Sequence, residues 1–446
     1  MDKNVLEILK KFEKGGYETA VVGGAVRAIL TGKKAVDWDL TTSAKPEEIL
    51  RLFPGAFYNN RFGTVGIKVD DKIVEATTYR KEQDYTDGRH PDKVVWGNSL
   101  EEDLARRDFT INAIALRFTH GKLSQTPVDP FGGQKDLGAK LIRTVGKADK
   151  RFSEDALRLI RAVRLAATLN FKIEKETKAS IEKNSKLIGQ ISGERVRAEL
   201  FKIVVSEFSA EGILLMRETG LLAEILPELD VCFDVEQKSP KRHHVFDVGT
   251  HCVMSMKHCP SGDTIVRLAT LFHDIGKAKV ANVTEEGVRT FYNHEVVGAR
   301  QVSEISKRLQ LSGRDRDRLF KLVRWHQFSV NENQTDKALR RFIRNVGLEN
   351  VEDMMDLRIG DRLGGGLQQP ESWRLKLFRK RIKEVLTKPF TVADLKVNGN
   401  DVMKVLHLKP GKRVGDILKK LFEEVMEDAK KNEREYLMEQ IKKVKA

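Results

Sequence analysis

The chain has 446 residues, 33% of them charged and 40% hydrophobic, and its 80 Lys and Arg against 65 Asp and Glu give a net charge of +15 and a pI near 9.5. No run approaches the roughly 18 apolar residues of a membrane span, and three cysteines (Cys232, Cys252, Cys259) without a CxxC pair exclude a disulfide scaffold. The positive excess favours a polyanionic partner through counterion release, and the whole reads as a cytoplasmic, globular protein of several domains.

The N-terminal stretch MDKNVLEILKKFEKGGYETAVVGGAV has the period of an amphipathic helix followed by an apolar strand. Residues 18 to 118 alternate short β-branched runs (TAVVGG, GTVGIKV, KIVEATTY, AIALRF) with turn signals, which predicts a small mixed α/β domain. In VVGGAVRAIL a strand runs into a glycine pair and then Arg27 on a helix. Gly24 and its neighbour let backbone N–H groups approach a phosphate, and the arginine adds a bidentate donor. AVDWDLTT then sets Asp37 and Asp39 one residue apart. On a strand both point the same way, and two like charges tolerate that when a cation lies between them. An isolated DxD also fits a solvated strand end. Glu75, on a strand expected to pair with GTVGIKV, is the candidate third carboxylate, although a solvent-facing strand residue reads the same. Metal-bridged carboxylates beside a phosphate cradle are the apparatus of nucleotidyl transfer.

The polar stretch KEQDYTDGRHPDKV, with Gly88 and Pro91, predicts a mobile loop. From about residue 151 the periodicity is helical. RFSEDALRLIRAVRLAA places Asp155 and Arg158 as i, i+3 neighbours on a helix whose Leu157, Ile160 and Val163 face a core, so that an acceptor carboxylate lies beside a donor fork. Cytosine and adenine both offer an amino donor next to a ring-nitrogen acceptor, and uracil and guanine reverse that order. One Asp/Arg pair therefore accepts both of the first and rejects both of the second. Arg161 and Arg164 wind away from Asp155 around the helix, which suits phosphate contacts. Further on, His251, the adjacent His273 and Asp274, His294, His326 and Asp361 suit a metal held between helices. Pro389 and the Asn398-Gly399 turn mark a boundary before a small basic tail.

GGAVR, DWDLTT, EEDLARRDFTINAIA, DPFGGQKDL, RFSEDALRLIRAVRLAA and ISGERVRAEL occur in the same order as in class II CCA-adding tRNA nucleotidyltransferases, and the chain resembles that family. Bacterial poly(A) polymerases share these motifs. The resemblance implies an α/β nucleotidyltransferase head (residues 1–145, a small mixed sheet with helices), followed by an all-α remainder. That remainder comprises a nucleotide-selecting neck (146–225), a body (226–370) and a basic tRNA-binding tail (371–446). It implies addition of the 3′-terminal CCA to tRNA from CTP and ATP, with Mg2+ on Asp37 and Asp39. Gly24 and Arg27 become triphosphate contacts, Arg107 a phosphate ligand, Asp108 and Asn112 neighbours of the sugar, and Asp155 and Arg158 the base readers. Arg161 and Arg164 complete the nucleotide contacts. Tyr85, Asp87, Arg89 and Pro91 match the loop pattern that in the family helps switch from CTP to ATP. One position departs: the family usually has Asp after the arginine of GGxVR, where this chain has Ala28.

The order H…HD…H…H…D is similar to HD-domain phosphohydrolases. That resemblance implies one divalent metal on His251, His273, Asp274 and Asp361, with His294 and His326 available for a second, and hydrolysis of phosphomonoesters or 2′,3′-cyclic phosphates. The alternatives are a poly(A) polymerase, a partial CC- or A-adding enzyme, or an RNA-end phosphohydrolase.

Overall fold

The computed structural model describes residues 2–60, 63–70, 72–83, 93–97, 99–237, 246–285, 287–328, 334–386 and 392–444. Tyr85, Asp87, Arg89 and Pro91, and the linker proline Pro389, lie outside the described residues. The chain divides into two compact units, Met1–Val231 with Ile305–Leu311, and Cys232–Glu304 with Ser312–Ala446. Among the described residues no helix is long and apolar enough to cross a membrane.

The first unit opens with helix α1 (Lys3–Lys14), which Asp2 caps and which buries Val5, Ile8, Leu9 and Phe12, the i, i+3, i+4, i+7 stripe of an amphipathic helix. Around its core lie β1 (Thr19–Val22), α2 (Gly24–Leu30), β2 (Asp39–Thr42), α3 (Pro46–Leu52), β3 (Phe57–Asn60), β4 (Thr64–Val69) and β5 (Lys72–Thr78). A separate ribbon, β6 (Arg80–Gln83) with β7 (Lys93–Trp96), precedes α4 (Leu100–Ala105), β8 (Ala115–Thr119) and β9 (Lys122–Leu123). The main sheet runs β3-β4-β5-β2-β1-β8-β9, antiparallel except where β2 pairs with β5. Its register places Val22, Asp39, Glu75, Gly66 and Phe57 on one rung, and residues opposed on a rung point to the same face. The expected pairing of Glu75's strand with GTVGIKV is present. Asp37 departs from expectation: the strand begins at Asp39, and Asp37 precedes it in irregular chain.

Helices follow: α5 (Gly133–Gly138), α6 (Ala148–Glu154), α7 (Leu157–Leu169), α8 (Lys175–Asn184), α9 (Gly193–Val204), α10 (Ser209–Glu218), α11 (Leu221–Ile225) and α12 (Pro227–Asp230). The expectation that Asp155 and Arg158 share one helix is corrected here. Asp155 is extended (φ −146°, ψ 103°) between α6 and α7, because its carboxylate accepts from the Leu157 N–H at 3.1 Å and so starts a new helix, as aspartate does at helix N-termini.

The second unit contains α13 (Val248–His258), α14 (Thr264–Phe272), α15 (Lys277–Val280), α16 (His294–Arg308, whose last turn belongs to the first unit), α17 (Gly313–Trp325), α18 (Asp336–Val346) and α19 (Val351–Gly364). These are followed by α20 (Trp373–Leu386), α21 (Gly399–Leu406), α22 (Lys412–Glu427) and α23 (Arg434–Lys443). The last three helices share a small core of their own, from Leu395 and Val402 to Leu437 and Ile441. Asn398-Gly399 is a helix start rather than a turn: the Asn398 side chain accepts from the N–H groups of Asn400 and Asp401, and Asp401 returns the favour to the Asn398 N–H.

Where α7, α9 and α10 meet, a Cβ on Gly212 would lie 2.6 Å from Ile203 Cγ2 and 2.9 Å from Ala167 Cβ. Gly212→Val is therefore expected to destabilise the protein by about 1–3 kcal/mol through overpacking, read as a lower urea midpoint. A midpoint equal to wild type would show that the three helices are not this closely packed.

Candidate active site

The rung that carries Asp39 and Glu75 opens into a cleft of about 670 Å³, lined by Gly24, Arg27, Asp37, Asp39, Glu75, Arg107, Asp108, Asn112, Asp155, Arg158, Arg161 and Arg164, all of the residues that the sequence assigns to nucleotidyl transfer. Arg80, Arg106, Arg195 and Lys202 complete it, so nine basic side chains face five carboxylates. Trp38 is buried between the two aspartates, which both line the cleft, so the alternation of faces survives although Asp37 is not on the strand. Gly23 turns the chain from β1 into α2 with φ 68°, and a Cβ there would lie 3.0 Å from Asp39 Oδ2. A glycine is required both by that conformation and by the closeness of the carboxylate. Lost hydration raises the pKa of Asp39; Arg107 opposes this and Asp37 adds to it.

The arginine wall is held by two buried aspartates. Asp103, 0% exposed, accepts from Arg106 Nε and Nη2 (2.8 and 2.6 Å), Arg107 Nη2 (3.0 Å) and Thr41 Oγ1 (3.1 Å). Burial alone would raise its pKa, but the two arginines outweigh it and hold the carboxyl below the usual range. Asp108 accepts from the Phe109 N–H (2.9 Å) and Asn112 Nδ2 (2.8 Å), and Arg161 Nη2 lies 2.9 Å from its other oxygen. Burial pushes Asp108 up, yet Arg161, Asn112 and Arg158 prevail and bring it to about 2. Asn112 Oδ1 in turn accepts from Arg27, whose pKa burial pulls down to about 10. Arg27 is thus oriented by Asn112, which Asp108 holds in turn.

Asp155 and Arg158 both reach the cleft but do not pair with each other. Asp155 Oδ2 accepts from Arg195 Nη2 at 3.0 Å, and Arg158 Nη1 donates to Glu154 Oε2 at 2.7 Å and to the Arg151 carbonyl at 3.0 Å. The helix break between them separates the pair. Arg164 Nε donates to Glu199 Oε2 at 2.8 Å. Asp103, Arg106 and Arg195 escape the sequence reading. Asp103 was detectable from its i+3 and i+4 spacing to Arg106 and Arg107, whereas Arg195 meets Asp155 across 40 residues with no local signal.

The second unit holds a separate cluster, built where five helices end or begin. His251 lies in the first turn of α13, His273 and Asp274 follow α14, His294 opens α16, His326 closes α17 and Asp361 is in the last turn of α19. Asp274 bridges two trios. Its Oδ2 is 3.5 Å from His251 Nε2 and 3.3 Å from His273 Nε2, and its Oδ1 is 3.1 Å from His294 Nε2 and 3.6 Å from His326 Nε2. Asp361 Oδ1 joins the first trio, 3.2 Å from His251 and 3.6 Å from His273. The Nδ1 atoms of His273, His294 and His326 lie 2.7 to 2.8 Å from the carbonyls of Thr270, Phe291 and Val323. A carbonyl can only accept, so Nδ1 carries a proton in each, and Nε2 is the atom turned to the cluster. Burial disfavours the charged imidazole of His273, but Asp274 and Asp361 override it and raise the pKa to about 10. Lys277, with Nζ 2.5 Å from Asp274 Oδ2, belongs to the cluster and was not singled out in the sequence, although it lies three residues beyond Asp274. All three cysteines are buried thiols outside any disulfide, with pKa values pushed up by burial.

An α/β head with paired carboxylates facing a wall of basic side chains is the architecture of a nucleotidyltransferase of the poly(A) polymerase class. Residues 19–143 match the Poly A polymerase head domain, 170–233 the "Probable RNA and SrmB- binding site of polymerase A", and 290–441 the tRNA nucleotidyltransferase domain 2. The CCA-adding enzyme of Pediococcus pentosaceus is 31% identical over 438 residues, 98% of this chain and 96% of that one. That of Geobacillus kaustophilus is 45% identical over 222 residues, which are 50% of this chain, and the match spans about half (54%) of the relative's length. The crystal structure of the Bacillus stearothermophilus CCA-adding enzyme in complex with CTP superimposes with a TM-score of 0.73 at 28% identity, covering 98% of this chain and 96% of that one. The chain belongs to the family of CCA-adding enzymes.

Asp108, at about 2 in the fold against an ordinary 3.8, contributes stability that is fully present above pH 3.8 and is lost as pH falls through 2, roughly 2 kcal/mol in all. Asp108→Asn is expected to unfold at lower urea at pH 7 and to lose less further stability than wild type between pH 4 and pH 2. An equally steep acid loss in the variant would contradict the pairing with Arg161.

Proposed function

We propose that the chain adds the 3′-terminal CCA to tRNA without a template, using CTP and ATP, at the cleft of the first unit, and that it works in the cytoplasm. The observation that carries this reading is the opposition of three carboxylates on or beside one sheet rung to a wall of nine basic side chains. That charge pattern fits a nucleoside triphosphate with divalent ions: the arginines take the phosphates, and Asp37, Asp39 and Glu75 would hold Mg2+. When bound, the metal lowers the pKa of the attacking hydroxyl and neutralises charge on the leaving pyrophosphate. Gly24, Arg27 and Arg107 hold the triphosphate, Arg161 and Arg164 extend the cradle, and Asp108 and Asn112 are positioning residues that fix Arg27 and Arg161. Asp155 accepts the amino donor of cytosine or adenine and Arg158 donates to the neighbouring ring nitrogen. Arg195 and Glu154 hold these two readers before any nucleotide enters, which lowers the ordering cost of binding. The relative crystallised in complex with CTP supports the same use of the cleft. The long basic remainder would take the duplex part of tRNA by shape and phosphates.

For the second cluster, Asp274 shared between two histidine sets favours a metal-dependent hydrolysis of phosphomonoesters or 2′,3′-cyclic phosphates. The first ion would sit among His251, His273, Asp274 and Asp361, and a second among Asp274, His294 and His326.

Asp37→Ala is expected to reduce CMP and AMP addition below detection in a single-nucleotide extension assay while tRNA binding stays within about twofold; retained addition would remove Asp37 from the metal site. By plasma mass spectrometry of purified protein, Asp274→Ala is expected to lose metal from both positions and Asp361→Ala from one. Metal content unchanged in both variants would contradict the second site.

A further inference from the structure

The three carboxylates line a second cavity as well. On the other side of Asp37, Asp39 and Glu75 lies a hollow of about 1460 Å³, bounded by Ile29, Lys33, Lys34, Val36, Phe57 and Ile73. Its character is opposite to that of the arginine cleft. Val36 is 76% exposed, Ile73 58% and Phe57 42%, an unusual concentration of bare apolar side chains beside catalytic carboxylates.

The sheet register explains how they come together. Phe57, Gly66, Glu75 and Asp39 occupy one rung, and Ile73, two residues before Glu75, shares its face. A Cβ on Gly66 would lie 2.6 Å from Phe57 Cζ, so the absent side chain lets the Phe57 ring lie across β4. The result is an aromatic shelf one strand away from Glu75.

Resting on the reading proposed above, we infer that this hollow seats the 3′-terminal nucleotide of the acceptor strand, its base stacked on Phe57 and against Ile73 and Val36. In-line displacement at phosphorus requires the attacking hydroxyl and the leaving pyrophosphate on opposite sides. The arginine cleft takes the triphosphate, so the hydroxyl approaches from the other flank of the carboxylates, which is this hollow. Stacking on an aromatic ring tolerates any base, as an acceptor end that changes after every addition requires. Lys33 and Lys34, both exposed at the rim, supply charge for the strand's phosphates. The 3′-hydroxyl oxygen bonds to the α-phosphorus, the bond to pyrophosphate breaks, and the hydroxyl proton leaves to solvent.

The test uses the full chain, tRNA transcripts ending just before CCA, and CTP. Phe57→Ala is expected to raise KM for tRNA about tenfold, the loss of one stacking contact, while the Kd for CTP stays within about twofold. Phe57→Tyr restores KM and Phe57→Leu does not; rescue by Leu as well as by Tyr would mean that the ring only fills space, and would overturn the inference. Ile73→Ser, at an exposed position that tolerates polarity, is expected to raise KM in the same direction. A KM unchanged in both Phe57→Ala and Ile73→Ser, with wild-type protein adding CMP, overturns the acceptor seat alone, whereas wild-type protein that adds no nucleotide overturns the parent reading and this one with it.

Discussion

Like charges on one face of a sheet repel, and the first unit is organised around keeping three of them together. Asp39 and Glu75 are opposed on adjacent strands, and Asp37 joins them from the chain just ahead. Lost hydration and the neighbouring Asp37 both raise the pKa of Asp39, a repulsion that a divalent cation would relieve. The glycine at 23 is the steric counterpart, since it is the residue that leaves room for the Asp39 carboxylate while turning the chain into α2.

Opposite them, the arginines are oriented by buried carboxylates. Asp103 fixes Arg106 and Arg107, and Asp108 fixes Arg161 and, through Asn112, Arg27. Buried carboxylates of this kind are stable because each is paired and hydrogen-bonded, and removing one partner would strand a buried charge. The same logic organises the second unit, where Asp274 is shared by four imidazoles, three of them oriented by a backbone carbonyl at Nδ1. In both places the protein prepares a charge pattern in advance, so that binding requires little rearrangement.

Much of this was legible in the sequence because it is local. The amphipathic start, the glycine pair before Arg27, the DxD spacing and the strand of Glu75 all follow from side-chain period and turn chemistry. The six metal-type ligands of the second cluster were legible by residue type and order. What escaped was set by partners distant in sequence. Asp155 and Arg158 read as one helical pair, but the carboxylate capped the next helix and took Arg195 as its partner. Asn398-Gly399 read as a turn, but a capping box made it a helix start. The Asn112 partner of Arg27 lies 85 residues away and left no local signal. Phe57 gave no sign, since its place beside Glu75 comes from strand register and from a glycine nine residues away on the next strand.

The central claim is that this charge pattern directs a fixed, template-free addition rather than open-ended polymerisation. The most direct measurement incubates purified protein with tRNA transcripts ending before CCA, after C and after CC, with CTP, ATP or both, and resolves the products at single nucleotides. The account predicts addition of C, C and A in that order and then arrest. A ladder of A residues, or arrest after CC with both nucleotides present, would contradict it.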